Sequence, residues 1–276
     1  MSGKRARIKS GLAIMSFLLL LFAFSIEASG PAQENQEEFF QKYPLSVQGS
    51  FELENVNGLV RVTTWSQPEV EIKAIKRTKR DPKNLKLVRI EVKSLDDRVV
   101  VKTIYPRLRN TGVTVDYDIR LPEKLAETSL EVINGRIEIS GNLGRIKAST
   151  VNGSIKAEGM EGPANLEAVN GGIEAVITSG PVKIETVNGP ISCYLRNLQD
   201  NLSLETVNGP IKIKIASETD LNGYLEARST NGAINIDLPL IFKSLTQSRG
   251  RFEGQIGKGG PLIRLRTVNG SISLSH

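Results

Sequence analysis

Cysteine and histidine are almost absent from this sequence of 276 residues, which has one of each. A single cysteine, Cys193, excludes an intrachain disulfide, so stability must come from burial of apolar side chains. The histidine is His276, the last residue, and a chain terminus does not hold an imidazole within reach of a nucleophile. Zinc is excluded by ligand count. We therefore expect no metal, no cofactor and no catalytic residues.

Long apolar runs are also missing, apart from residues 11–26 near the start of the chain. Lys4, Arg5, Arg7 and Lys9 precede this run, which is the pattern of a secretory signal. Its sixteen residues fall short of the roughly 20 that a membrane span needs. We therefore predict a signal peptide over residues 1–28 with cleavage after Ala28, an uncleaved anchor being the alternative. The protein is then exported to the periplasm, the cell surface or the medium.

Excess positive charge largely disappears with that segment. The formal net charge of +6 loses four cations and one anion, Glu27, which leaves +3. A net charge this small is not typical of a protein that binds nucleic acid over its whole surface. Residues 29–44 are polar, and we interpret them as a linker before a domain over residues 45–276.

The feature that the sequence has in abundance is Asn-Gly, usually within Val-Asn-Gly. With Asn222-Gly223 set aside, the steps between successive pairs from residue 134 onward are 18, 18, 18, 20, 23 and 38, which indicates a structural repeat. The asparagines of these pairs are Asn57, Asn134, Asn152, Asn170, Asn188, Asn208, Asn231 and Asn269.

Apolar and polar residues alternate on both sides of each pair, as in Val182-Lys183-Ile184-Glu185, so each unit comprises two short strands. Asn-Gly between strands usually predicts a hairpin, but Pro190 and Pro210 occupy the position that donates the hairpin's closing N–H. We therefore predict an all-β fold, a β-solenoid with rungs of about 18–20 residues. At its corners Asn or Gly would take positive φ, and buried Asn side chains would bond to the next rung. An antiparallel β meander is the alternative.

The repeat is regular over residues 129–276 and irregular over residues 45–128, which we interpret as the first turns of the same solenoid. Residues 237–261 break the period, and we interpret them as one rung whose sequence lacks the repeat motif. Because the chain ends just after the last repeat, we expect an uncapped rung there, able to associate end to end with another copy.

These features occur in the order of an export signal, an early VNG followed by LVRVTTWSQPEVEI, a VDYDIRLP strand, serial VNG units and a closing RLRTVNGSISL. This order resembles the putative-adhesin β-strand-repeat family of bacteria over about residues 45–276. The resemblance implies a β-helical, adhesin-like exported protein of unknown function, and it implies no catalytic residues.

Positive charge is concentrated between residues 73 and 93, where nine cations face two anions. We predict that this stretch forms the exposed tip of a two-stranded projection. We also predict that it contacts an anionic envelope polymer or membrane surface. A solvated edge that uses lysine to block strand pairing is the alternative. The candidate contact residues are Lys73, Lys76, Arg77, Lys79, Arg80 and Lys83.

Asp116 and Asp118 point to the same side of one strand, as the paired carboxylates of a glycosidase would. An ordinary solvated pair is the simpler interpretation, and the same holds for the column Glu167, Glu185 and Glu205. The sequence thus predicts a non-catalytic, adhesin-like solenoid that binds or presents a surface in the cell envelope. A self-assembling structural protein and a carbohydrate-active enzyme are the alternatives.

Overall fold

A computed structural model describes residues 35–107, 110–217, 221–238, 242–248 and 250–276. The predicted signal peptide and its cleavage at Ala28 lie outside these residues. Residues 34–276 form one compact unit. The described ranges contain one 3₁₀ helix, Pro82–Leu87, and the following strands: β1 Asn35–Pro44, β2 Ser50–Asn57, β3 Val60–Trp65, β4 Glu69–Thr78, β5 Arg89–Leu95, β6 Arg98–Ile104, β7 Val113–Pro122, β8 Glu127–Asn134, β9 Ile137–Ser140, β10 Arg145–Asn152, β11 Ile155–Met160, β12 Ala164–Asn170, β13 Ile173–Ile177, β14 Val182–Asn188, β15 Ile191–Leu195, β16 Leu202–Asn208, β17 Ile211–Ile215, β18 Gly223–Ser229, β19 Ile234–Asp237, β20 Phe242–Ser248, β21 Arg251–Ile256, β22 Leu262–Asn269 and β23 Ile272–Ser275.

The strands form two sheets, and each Asn-Gly unit gives one strand to each. Sheet A has the order β1-β4-β7-β3-β9-β11-β13-β15-β17-β23-β19, and sheet B has the order β20-β21-β18-β22-β16-β14-β12-β10-β8-β2-β6-β5. Neighbouring units pair in parallel, with Asn170 opposite Asn188 and Asn188 opposite Asn208. The β-solenoid is confirmed, and the antiparallel meander is wrong for these units.

The order of rungs in space differs from their order in the chain at both ends. The first rung, β2 with β3, lies between β6/β7 and β8/β9. The last rung, β22 with β23, lies between β16/β17 and β18/β19. The final Asn-Gly unit is therefore inside the stack, and the uncapped terminal rung expected from the sequence is wrong.

Antiparallel strands occupy three of the four sheet edges. At one end β20 and β21 form an antiparallel pair that extends sheet B beyond β18. Residues 237–261 are thus not a rung, because this pair returns on itself instead of crossing between sheets. At the other end β5 pairs antiparallel with β6, and β1 pairs antiparallel with β4.

Strand β1 also corrects the predicted linker over residues 29–44, since Asn35–Pro44 pairs with β4 along its whole length. Most of its side chains are exposed or half-buried, as on an edge strand. A strand with neither face fully buried does not need alternating apolar residues, which is why its sequence is polar.

The core is the space between the sheets, filled by inward columns of apolar residues. Sheet B contributes Leu166, Ile184 and Leu204 at one level, and sheet A contributes Ile173, Ile191 and Ile211 opposite, all fully buried. Burial of each such side chain stabilises the fold by about 1.5–3 kcal/mol. Every rung repeats the pattern, so the outward residues also fall in straight columns along the stack.

Candidate functional site

The eight corner asparagines form one continuous ladder on the surface of the solenoid. The Nδ2 of every asparagine except Asn57 donates to the Oδ1 of the asparagine on the neighbouring rung at 2.7–2.9 Å, giving seven bonds from Asn57 to Asn231. The spatial order of the ladder places Asn269 between Asn208 and Asn231. The expected bond to the next rung is present, but it joins exposed side chains.

Positive φ is not what the corner requires, contrary to the sequence interpretation. Among the described residues, only Asp96 and Lys124 combine a side chain with positive φ, and of the corner glycines only Gly58 has positive φ. The glycines are needed because stacked rungs touch there. A Cβ on Gly171 would lie 1.7 Å from the carbonyl oxygen of Gly153, and one on Gly189 would lie 2.1 Å from that of Gly171.

A buried hydroxyl completes the corner in several rungs. The Oγ1 of Thr186 donates to the Gly171 carbonyl at 2.9 Å, and the Oγ1 of Thr206 donates to the Gly189 carbonyl at 3.1 Å. In the sequence Thr-Val-Asn-Gly, threonine therefore faces inward, asparagine joins the ladder and glycine permits the close approach. The valine side chain is also exposed, but it is apolar and forms no hydrogen bond.

These exposed residues form an apolar column across sheet B. Six consecutive rungs contribute Ile133, Val151, Val169, Val187, Val207 and Val268, each 40–47% exposed. The column borders a groove of about 840 Å³ that also includes residues of β2, β6 and β18.

The other side of the groove carries carboxylates. One outward column over six consecutive strands holds five carboxylates, with Ser149 as the sixth residue: Glu54, Glu131, Glu167, Glu185 and Glu205. The next two rungs place Arg266 and Arg228 in that column, which ends the acidic stretch. The sequence interpretation of Glu167, Glu185 and Glu205 as a solvated face did not include the adjoining valines, although the V of each VNG was visible.

The acidic column is only partly neutralised. Lys183 lies 2.9 Å from Glu185, and this hydrogen bond raises the pKa of Lys183. Glu167 accepts from Asn165 at 2.7 Å and Glu205 accepts from Ser203 at 3.3 Å. Within the described part of the chain, neither of these two carboxylates has a cation at ion-pair distance.

The structure removes Lys76 from the predicted anionic-surface contact. Its side chain is buried, 7% exposed, and its Nζ donates to the carbonyls of Leu85 and Val88, both at 3.2 Å. It also pairs with Glu37 of β1 at 2.7 Å. Lys76 therefore fastens the 3₁₀ helix to β4, a role that the sequence alone did not show.

Lys73 and Arg77 are exposed in part but already have partners. Lys73 lies 3.1 Å from Glu71, and Arg77 pairs with Asp116. Burial raises the pKa of Glu71, but hydrogen bonds from Lys73 and Lys42 outweigh it and hold that pKa below its usual value.

The remaining cations form what we call the basic end: Lys79, Arg80, Lys83, Lys86, Arg89 and Lys93, all exposed. They lie between residues 79 and 93, on the connection from β4 in sheet A to β5 in sheet B and on β5 itself. The 3₁₀ helix occupies the middle of this connection, so the two-stranded projection is wrong. Asp81 caps that helix by accepting from the Lys83 N–H at 2.9 Å.

Asp116 has a structural role in place of the paired-carboxylate chemistry considered above. Its Oδ1 accepts from the Leu59 N–H at 2.8 Å, and its Oδ2 binds Arg77. Asp118 is exposed, and its strand neighbours in register are Lys73 and Arg61. Cys193 is buried in the core, and burial raises the pKa of its thiol to about 12, so the free thiolate is scarce at neutral pH.

The described residues contain neither a cluster of metal ligands nor a membrane-spanning helix. No group of three or more His, Cys, Asp or Glu side chains among them is placed to hold a metal ion. No helix in the same residues has the length and hydropathy of a membrane span.

Comparison with known proteins gives a family match and distant structural neighbours. The family model described as Toastrack DUF4097 matches residues 25–275. A putative cell adhesion protein from Clostridium sporogenes is 14% identical, with a TM-score of 0.40 over 87% of this chain and 99% of its own. A putative adhesin from Bacteroides fragilis is 11% identical, with a TM-score of 0.34 over 86% and 97% of the two chains. No curated protein matches the sequence.

Proposed function

The chain belongs to the Toastrack DUF4097 family, and we propose that it is an exported, non-catalytic, adhesin-like solenoid whose basic end binds anionic surfaces of the cell envelope. The resemblance found in the sequence analysis is thereby confirmed at the level of the family. Export is proposed from the basic and apolar pattern of the N-terminal segment.

The observation that carries the proposal is the composition of the basic end. Its six cations are exposed and share the segment with two anions, Asp81 and Glu91. Asp81 caps the 3₁₀ helix, and Glu91 lies 3.5 Å from Arg89. A cation near an anionic surface contributes about 1 kcal/mol, so several on one short segment suffice for weak binding.

Apolar side chains accompany these cations. Leu87, at the end of the 3₁₀ helix, is 38% exposed, and Leu95, at the end of β5, is 70% exposed. Exposed leucines beside lysines and arginines are typical of surfaces that lie against lipid headgroups. This favours an anionic lipid surface, and anionic polymers are tested beside it.

The test is co-sedimentation of residues 29–276 with vesicles of phosphatidylcholine alone, vesicles containing anionic lipid, peptidoglycan and an acidic polysaccharide. We expect binding to at least one anionic sorbent and none to neutral vesicles. The variant Lys79→Ser/Lys83→Ser/Lys86→Ser should lose about 3 kcal/mol, or roughly a hundredfold in affinity.

A matched control removes the same charge elsewhere. Lys147→Ser/Lys212→Ser/Lys214→Ser changes three exposed lysines of the regular rungs, where serine already stands in the same columns as Ser129, Ser192 and Ser275. It should bind like the wild type. Equal losses in both variants, or binding that survives high salt, would contradict a specific basic end.

A further inference from the structure

The groove on sheet B has the shape and charge of a docking site, and it is separate from the basic end. Its apolar column extends over six consecutive rungs, which at about 4.8 Å per strand corresponds to about 24 Å. Monomeric proteins expose single apolar side chains commonly, but a continuous row of six beside a groove is characteristic of an interaction surface.

We propose that this groove binds an amphipathic, cationic α-helix of a partner peptide or protein. The helix would lie along the stack, with its apolar stripe on the column from Ile133 to Val268. Its lysines or arginines would face the carboxylates of Glu131, Glu167, Glu185 and Glu205.

The spacing of the rungs favours a helix over an extended chain. One helical turn rises about 5.4 Å, so residues three or four apart recur almost once per rung of about 4.8 Å. Alternate residues of an extended chain recur at about 6.6–6.8 Å and fall out of step with the rungs after two residues. About 16 helical residues would span the apolar column at 1.5 Å per residue.

The negative charge of the groove favours a positively charged partner. Five carboxylates occupy the acidic stretch once Glu54 of β2 is included. Among the described residues two of them have an ion pair, Glu185 with Lys183 and Glu54 with Lys102. Arg266 and Arg228 follow in the same column, so the acidic part has a defined end beside the last valine, Val268. A cationic stripe of about four turns would meet the acids and stop before these arginines.

The probe is a synthetic helical peptide of 18 residues made of leucine, alanine and lysine, with leucines and lysines on adjoining stripes. Binding is measured by fluorescence anisotropy with the peptide labelled. Two control peptides are compared with it. In the first, glutamate replaces every lysine. In the second, the same residues are rearranged so that leucine and lysine alternate along the sequence. We expect binding of the original peptide only.

Two groove variants separate the charged from the apolar contribution. Glu167→Gln/Glu185→Gln/Glu205→Gln should weaken binding about tenfold and reduce its dependence on salt. Val169→Thr/Val187→Thr/Val207→Thr should also weaken it about tenfold, with the salt dependence kept. Threonine is tolerated in this column, where Thr230 already stands.

The control Glu123→Gln/Glu158→Gln/Glu174→Gln makes the same charge change away from the groove and should bind like the wild type. Equal binding by both groove variants would overturn the proposal, as would equal binding of the rearranged peptide. So would a groove variant that converts an oligomer of the free protein to a monomer, because the occupant would then be a second copy of this chain. Anionic vesicles are absent from the assay, so its outcome does not depend on the basic end.

Discussion

At the residue scale, the four positions of Thr-Val-Asn-Gly have four different environments, and the sequence indicated only some of them. The period revealed the corner, and the recurrence of asparagine correctly suggested a bond between rungs. The need for glycine was assigned to backbone conformation, whereas the structure assigns it to contact with the glycine below. That contact exists only between rungs, so no local pattern could show it.

The rung that contains Gly171 and Gly172 allows a test of this explanation. Gly171→Ala should destabilise the protein by about 2 kcal/mol or more, because its Cβ would meet the Gly153 carbonyl oxygen at 1.7 Å. Gly172→Ala should cost less than about 1 kcal/mol, since its Cβ would lie 3.1–3.2 Å from ring atoms and the carbonyl oxygen of Pro190, and other rungs have Ser154 or Pro190 there.

Chemical denaturation of both variants measures the difference. Neither glycine has positive φ, so a conformational requirement would give similar and small losses in the two variants. That result would remove the contact explanation.

At the scale of the element, the antiparallel pair of β20 and β21 shows where periodicity misleads. Strands of a hairpin and strands of a rung alternate in the same way, so residues 237–261 looked like a rung. What distinguishes them is the direction of the chain after the first strand. The charged residues of β21 also connect the pair to β18, through Arg228 and Glu253.

Glu253 makes this connection sensitive to acid. Arg251 donates to its carboxylate at 2.7 and 2.8 Å and Arg228 donates at 3.0 Å, and these bonds lower the pKa of Glu253 to about 2. Because the folded pKa lies below the unfolded value, the stabilisation is present above about pH 4.5 and is lost as pH falls towards 2.

We therefore expect faster hydrogen exchange at the amides of β21 between about pH 4.5 and 2, after correction for the intrinsic rate. In Glu253→Gln the amides should exchange faster at neutral pH and show little further change over this range. If the Glu253 carboxyl of the wild type titrates near pH 4.5, its hydrogen bonds with Arg251 and Arg228 do not stabilise the charged form, and this explanation is contradicted.

At the scale of the whole molecule, the class of fold followed from the repeat but the order of rungs did not. Successive Val-Asn-Gly units are so alike that any of them can stack on any other. The final rung enters between β16/β17 and β18/β19 because identical corners meet on both sides, Asn208 below and Asn231 above. The groove on sheet B depends on this stacking, since columns of one residue type exist only after the rungs are in register.

Antiparallel edges also change the expectation of end-to-end assembly. With the final Asn-Gly rung inside the stack, sheet B ends at the pair β20–β21 and at β5. We expect residues 29–276 to sediment as a monomer at concentrations up to about 100 µM, because the two ends offer no matching parallel rungs. A rise in sedimentation coefficient with concentration would restore the self-assembling alternative.

The most direct test of the central proposal is hydrogen–deuterium exchange with and without the anionic sorbent that binds best. We predict slower exchange over residues 79–95, which include the 3₁₀ helix and the edge strand β5, and no change in β12, β14 and β16 at the groove. The triple lysine variant of the basic end should lose this protection at equal sorbent concentration. Protection spread along the regular rungs, with residues 79–95 unchanged, would contradict the assignment of the anionic contact to the basic end.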